Sequence, residues 1–390
     1  MAGLRDVREQ QGARIAQGEE NGRSATPRPT LIVPKGSGDL AAHYDLTISH
    51  PGVEQVTCAA FERRLAAAAT ARGLSCAVIH DGVIAEAIRR LAEGRLTIGF
   101  HLDYFALWHA VDDPYAQLAQ AVVDAGGRSV NPPARSRLFT DKAAAHEELH
   151  RHGFGVPETV FFRPWTPDRP LTSAECRRLR LDEPGACVYV KPANGFGGQG
   201  VVRAEATSPK ALAAAVAAAR DQDRSETYLL QRGVRCVRLR SEDGIERPAY
   251  WRVVHCLGDF MAFWWDRSEV DRGRPAYLEV TPAEVLHHNL QPLYDAAEAL
   301  ADLCCLEWFS TEICLSAGVE PSRFRVRGRD GVDRPLVAID YVNDQCDVDV
   351  QSRWLGAPPD AVVAHVAERF AEAAARRNWA STAAQIRLAA

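Results

Sequence analysis

Val188-Tyr189-Val190-Lys191-Pro192-Ala193-Asn194-Gly195-Phe196-Gly197-Gly198-Gln199-Gly200-Val201 is the densest chemical signal in the chain. An apolar β-type run carries a lysine near its end, four glycines follow within six positions, and β-type residues resume at Val201-Val202-Arg203. Glycine admits positive φ and lets backbone N–H groups approach phosphate oxygens closely. The literal G-x-G-x-x-G of a dinucleotide site must open a helix, and here a strand pattern follows. A Walker A loop would close on Gly-Lys-Ser/Thr, which is missing. A protein-kinase glycine loop does join two strands, but no H-R-D or D-F-G comes after it. Two readings remain: a loop that covers phosphates between two strands, with Lys191 at its mouth, or a long glycine hairpin with no ligand.

The lysine gains weight from composition. Only Lys35, Lys142, Lys191 and Lys210 stand among 46 basic residues, so arginine is the default cation and a lysine inside a motif is a departure. The 390 residues are 46% hydrophobic, enough for two or three compact units with buried cores. A net charge of −5 does not point to nucleic acid as the partner. Ten cysteines are scattered without a CxxC pair, which predicts buried free thiols rather than zinc or a disulfide framework. No apolar run reaches the roughly 18 residues that would span a bilayer. Residues 1–29 are polar and lack a signal-peptide core, so a disordered lead-in and a cytoplasmic location are expected.

Outward from the glycine loop, the pattern changes twice. Between residues 30 and 133 short apolar runs (Leu31–Lys35, Ser75–Ile79, Leu96–Phe100) alternate with helical stretches (Phe61–Arg72, Val83–Leu91, Tyr115–Ala125), which predicts a largely parallel α/β domain. Residues 134–230 read as a central subdomain. A helix from Asp141 to His152 and a strand ending at Phe162 lead to the glycine loop, the helix Pro209–Arg220 and a strand over 227–231. Residues 231–390 read as a C-terminal subdomain. It should hold a hairpin over 251–265 turning at Leu257-Gly258-Asp259, one helix over 282–303, strands at 308–315 and 336–342, and a closing helix over 359–377.

Lys-Pro-x-x-Gly-x-x-Gly-x-Gly-Val resembles the signature of ATP-grasp enzymes such as glutathione synthetase and D-alanine–D-alanine ligase. Upstream, Asn131-Pro132, Asp141-Lys142, Leu149 and Val156-Pro157-Glu158-Thr159 are similar to that family's approach to its nucleotide half. The resemblance spans roughly residues 96 to 355 and implies an ATP-grasp fold, α/β and α+β, behind an N-terminal parallel α/β domain. It implies ATP and Mg²⁺ as cofactors. Lys191 and Lys142 would contact phosphates, Gly195, Gly197, Gly198 and Gly200 would form the lid, and Gln231 and Gly233 would lie on the adenine hinge. Arg232 stands there where relatives often carry an acid.

The same resemblance assigns Arg252 and Arg267 to the transferred phosphate or the substrate carboxylate, with Tyr250 or Trp251 in the place of an acid. It assigns Mg²⁺ to Glu312, Asp340 and Asn343. The usual E-x-N is here D-x-x-N, so Asn343 must reach in through a bulge or strand end, or Asn343 and Asp344 act beyond the strand. His101, Asp103 and Tyr104 follow a strand end and are candidates for a substrate pocket, or for helix capping. The reaction implied is a carboxylate–amine ligation through an acylphosphate, on small-molecule substrates, with a homodimer as the family-level expectation. A small-molecule kinase acting on a hydroxyl and a non-catalytic nucleotide binder are the alternatives.

Overall fold

A computed structural model describes residues 42–49, 56–79, 81–103, 113–183, 185–195, 198, 200–205, 208–344 and 346–376. The chain forms two compact units. The run Leu31–Lys35 and the lead-in 1–29 lie outside the described residues.

The first unit takes residues 1–133, 267–277 and 347–390. Among the described residues its sheet has four strands, β1 (Ala42–Ser49), β2 (Cys76–Ile79), β3 (Leu96–Asp103) and β4 (Arg128–Val130), ordered β2-β1-β3-β4 and all parallel. The expected parallel α/β domain is therefore present. Its central strand, β1, was not read from the sequence. In AHYDLTIS the apolar Tyr44, Leu46 and Ile48 alternate with polar residues, among which the Asp45 carboxylate accepts from the Ser75 N–H at 2.9 Å. Helix Val56–Ala71 packs against helix Asp360–Ala375, and Phe370 sits 6.4 Å from Phe61 and 6.1 Å from Phe100, ring to ring. Burying each such ring is worth about 1.5–3 kcal/mol. Residues from Asp347 onward thus join the first unit, whereas the sequence reading had grouped them with the C-terminal subdomain.

The second unit, residues 134–266 and 278–346, holds two larger sheets. One orders β5 (Thr159–Phe162), β8 (Tyr228–Arg232), β6 (Cys187–Pro192) and β7 (Val202–Glu205), antiparallel throughout, against helix Pro209–Arg220. Ser208 caps that helix on the Ala211 N–H and Pro209 opens it, as its sequence predicts. A small hairpin, β9 (Arg238–Arg240) with β10 (Glu246–Pro248), stands apart as its own sheet. The other large sheet orders β13 (Tyr277–Glu279), β12 (Asp259–Trp265), β11 (Tyr250–Cys256), β14 (Trp308–Leu315), β16 (Asp333–Asn343) and β15 (Arg325–Arg327). The β11–β12 hairpin turns at Leu257 and Gly258, both at positive φ (51° and 95°), where the sequence placed the turn.

The long helix expected over 282–303 is two helices, Pro282–His288 and Gln291–Cys304, because Asn289 adopts a left-handed conformation (φ 55°) and ends the first. Within this unit the two sheets are tied at Gly155, which bridges to Val337. A Cβ there would lie 2.3 Å from the Leu336 carbonyl oxygen, so only glycine permits the approach. Phe139, Leu149, Phe309 and Tyr341 pack beside this junction in one buried cluster.

Candidate active site

A cavity of about 300 Å³ opens between the two sheets of the second unit. That is the lower end of the size range of small-molecule sites. Strand β6 brings Lys191 into it and the N-terminus of helix Lys142–Arg151 brings Lys142. Asp141 caps that helix by accepting from the N–H groups of Ala143 and Ala144, at 2.8 and 2.9 Å, and so fixes where Lys142 departs. The Lys142 N–H donates to the Ala193 carbonyl at 2.9 Å, and its ammonium reaches the Gly195 carbonyl. The helix start is thereby anchored to the head of the glycine loop. Gly195 and Gly198 line the cavity; Gly198 and Gly200 have φ of 76° and 68°. Gly197 and Tyr104 lie outside the described residues.

Opposite the lysines stand the acids. Glu312 on β14 pairs with Asp340 on β16 across the ladder. The next matched pair is Ser310 with Asn343: two steps along β14 against three along β16. The extra residue is a bulge, and it restores Asn343 to the face of Asp340 despite the three-residue spacing. The Asn343 amide donates to Asp340 Oδ2 at 3.2 Å, so of the two arrangements left open by the sequence, the bulge is the one observed.

Charge balances locally. Lys142 Nζ lies 3.9 Å from Asp340 Oδ1. Burial works against ionising Asp340, but Lys142, Lys191, the Asn343 amide and Arg252 outweigh it and hold the carboxyl below its usual range. Burial pushes the Lys191 ammonium below its usual value; Asp340 opposes this and Lys142 reinforces it. Lys191 donates to Gln231 Oε1 at 2.7 Å and to the Ile339 carbonyl at 3.4 Å.

Glu312 is shared between two donors, the Tyr250 hydroxyl and the Arg252 guanidinium. Tyr250 and Arg252, two apart on β11, share the face toward Glu312, while Trp251 turns to the core, 5.4 Å from Trp264. Burial first, and then Glu312, raise the Tyr250 phenol well above its usual value, so it stays a donor. The Arg252 guanidinium lies 4.1 Å from the Trp265 ring centre.

The Gly233 N–H is spent on the Cys187 carbonyl at 2.8 Å, and a Cβ at Gly233 would meet Cys187 Sγ at 2.4 Å. Gly233 is thus required by packing, although it does line the cavity. Arg232 is held by Glu183 and, at 3.6 Å, by Glu320.

Three expected residues lie in the first unit rather than the second. Arg267 precedes the short helix Ser268–Asp271. His101 is buried against Thr47 and Ser49, at 2.9 and 3.3 Å, and burial lowers its pKa to about 3. Asp103 accepts from the Ser49 hydroxyl at 3.4 Å.

Among the described residues no group of three or more His, Cys, Asp or Glu is placed to hold a metal ion, so any cation here relies on two carboxylates and an amide. All three donors are oxygens, one is held ionised, and a nucleotide's phosphates would complete the shell, a set that suits Mg²⁺. Tyr250 also lines the cavity; the sequence offered it as an alternative to Trp251 and did not single out Tyr341 or His146. Alternation along β11 was the available signal for Tyr250.

No family model matches the chain, and no curated protein matches it. Solved structures do. A RimK domain ATP-grasp protein from Sphaerobacter thermophilus is 18% identical with a TM-score of 0.50, over 84% of this chain and 98% of that one. A D-alanine–D-alanine ligase from Bacillus anthracis complexed with ATP is 12% identical with a TM-score of 0.55, over 88% and 100%. The D-cycloserine synthetase DcsG is 16% identical with a TM-score of 0.52, over 85% and 99%. The chain has the ATP-grasp fold. Among its described residues no helix is long and apolar enough to cross a membrane.

Proposed function

We propose that this protein is an ATP-dependent carboxylate–amine ligase that forms an amide through an acylphosphate and releases ADP and phosphate. The observation that carries the reading is the convergence of Lys142, Lys191, Glu312 and Asp340 on one cavity beside the glycine loop. Two of the chain's four lysines meet there. The neighbours with this fold include a ligase complexed with ATP and a synthetase.

In this reading Lys191 and Lys142 hold the nucleotide phosphates, and the glycines from Gly195 to Gly200 cover them. Glu312, Asp340 and Asn343 hold Mg²⁺, which when bound neutralises the charge that spreads over the transferred phosphoryl group. The open space beside the Cβ position of Gly198, with its positive φ, fits a backbone that lies directly on phosphate. Arg252 is a planar donor already set at the acidic face, where a substrate carboxylate or its acylphosphate can take over its hydrogen bonds. Positioning and fixed charge do the catalytic work, and no protein nucleophile is invoked. The substrates are a small-molecule carboxylate and an amine.

The test quantifies ADP and free phosphate side by side, with MgATP, a panel of carboxylic acids and hydroxylamine as surrogate amine. ADP and phosphate rising together, with hydroxamate formed, is the expected result. ADP without phosphate would replace the ligase by a kinase acting on a hydroxyl.

A further inference from the structure

Behind Lys191 runs a chain of buried polar groups that the reaction itself does not use. Gln231 on β8 accepts from Lys191 through Oε1 at 2.7 Å, and its Nε2 donates to the Tyr341 hydroxyl at 2.8 Å and to Thr159 Oγ1 at 3.4 Å. The Tyr341 oxygen lies 2.6 Å from His146 Nδ1. Gln231 and Tyr341 are each about 2% exposed and His146 about 8%.

The direction of each hydrogen bond follows from the ends. Lysine can only donate, so the amide must turn its oxygen to Lys191. A glutamine amide can equally turn its NH₂ there, which would set donor against donor beside a half-buried ammonium. What prevents this is the acceptor offered to Nε2. Thr159 is a weak one, since its own hydroxyl donates to the Pro157 carbonyl at 2.9 Å and its contact with Gln231 is long. Tyr341 is the strong one, and its hydroxyl offers a lone pair to Gln231 only while its hydrogen points elsewhere. His146 Nδ1, 2.6 Å away, takes that hydrogen when its ring is the neutral Nε2–H tautomer. Burial holds that imidazole neutral.

We propose that His146 and Tyr341 are positioning residues for the nucleotide site: the neutral imidazole sets the direction of the Tyr341 hydroxyl, which locks the Gln231 amide with its oxygen on Lys191. Neither residue lines the cavity. Both act through Lys191, and the role in ATP binding rests on the function proposed above.

A double-mutant cycle separates this from a merely structural contribution. Tyr341→Phe keeps the buried ring and deletes the hydroxyl. It should weaken MgATP binding roughly ten-fold, as loss of a hydrogen-bond relay to a charged group implies, and raise KM for ATP with little change in kcat. In Gln231→Glu either carboxylate oxygen can face Lys191, so orientation no longer needs fixing, and adding Tyr341→Phe should then change affinity less than about two-fold. An equal loss in both backgrounds, or none in either, overturns the proposal. Should Tyr341→Phe fail to fold, His146→Leu takes its place in the cycle.

A second readout needs no nucleotide. The ¹⁵N spectrum of the wild-type imidazole at His146, assigned by its loss in His146→Leu, should show the Nε2–H tautomer, with an Nδ1 resonance that moves in Tyr341→Phe. A protonated Nδ1 overturns the relay even if ATP binds. The expected tautomer in a protein that does not bind MgATP would keep the relay and overturn the nucleotide reading alone.

Discussion

Lys191 concentrates most of what the site asks of a single side chain. It is half-buried, faces Lys142, and is kept in place by Gln231 and the Ile339 carbonyl rather than by a carboxylate in direct contact. A cation held this way is under-neutralised and suited to an incoming polyanion. Lys191→Ala should therefore abolish the rise in melting temperature that MgATP gives the wild type, since a ligand stabilises only the state that binds it. An unchanged thermal shift would remove Lys191 from the site. The two lysines were legible because lysine is so rare in this chain. Only Asp266 separates Arg267 from the end of β12, yet Arg267 belongs to the other unit, and nothing in local spacing announces where the chain crosses.

At the scale of elements, strand β16 decides whether the acidic face is complete. A regular strand would send Asp340 and Asn343 to opposite faces; the bulge against β14 brings them to 3.2 Å. Asn343→Ala should leave the fold intact while cutting turnover roughly 10–100-fold and raising the Mg²⁺ concentration needed for half-maximal rate, the usual cost of losing a supporting group at a metal site. Initial rates across a Mg²⁺ titration measure this, and full activity at unchanged Mg²⁺ demand would exclude Asn343. Sequence periodicity located both strands but could not show a register shift, which is a property of the pair. Strand β1, by contrast, was legible: Tyr44, Leu46 and Ile48 alternate with His43, Asp45, Thr47 and Ser49 in the period of a strand. The break at Asn289 was signalled by Pro292, which stands three residues on, at the start of the second helix.

At the scale of the whole molecule, three histidines among the described residues are buried, which favours their neutral form. Burial lowers the pKa of His101 and of His146 to about 3 and that of His255 to about 4. In the unfolded chain each would titrate near 6.5, so as pH falls below that value the unfolded state takes up protons that the folded state refuses. Stability should be full above about pH 6.5 and decline toward pH 4, by up to about 1.4 kcal/mol per pH unit for each histidine. Urea unfolding at pH 7 and pH 5 measures the slope, and replacing His255 by glutamine should make it shallower; a flat profile would contradict the buried neutral state. The helix Asp360–Ala375 carries a different consequence, one of timing. Phe370 covers Phe61 and Phe100, which are translated long before it. At a synthesis rate of roughly 5–20 residues per second, those rings wait on the order of 15–50 s for their partner. Throughout that interval the nascent first unit presents an apolar face with nothing upon it, while the second unit is being made and can close. This protein's demand for a chaperone, if it has one, should fall on the half of the molecule that leaves the ribosome first.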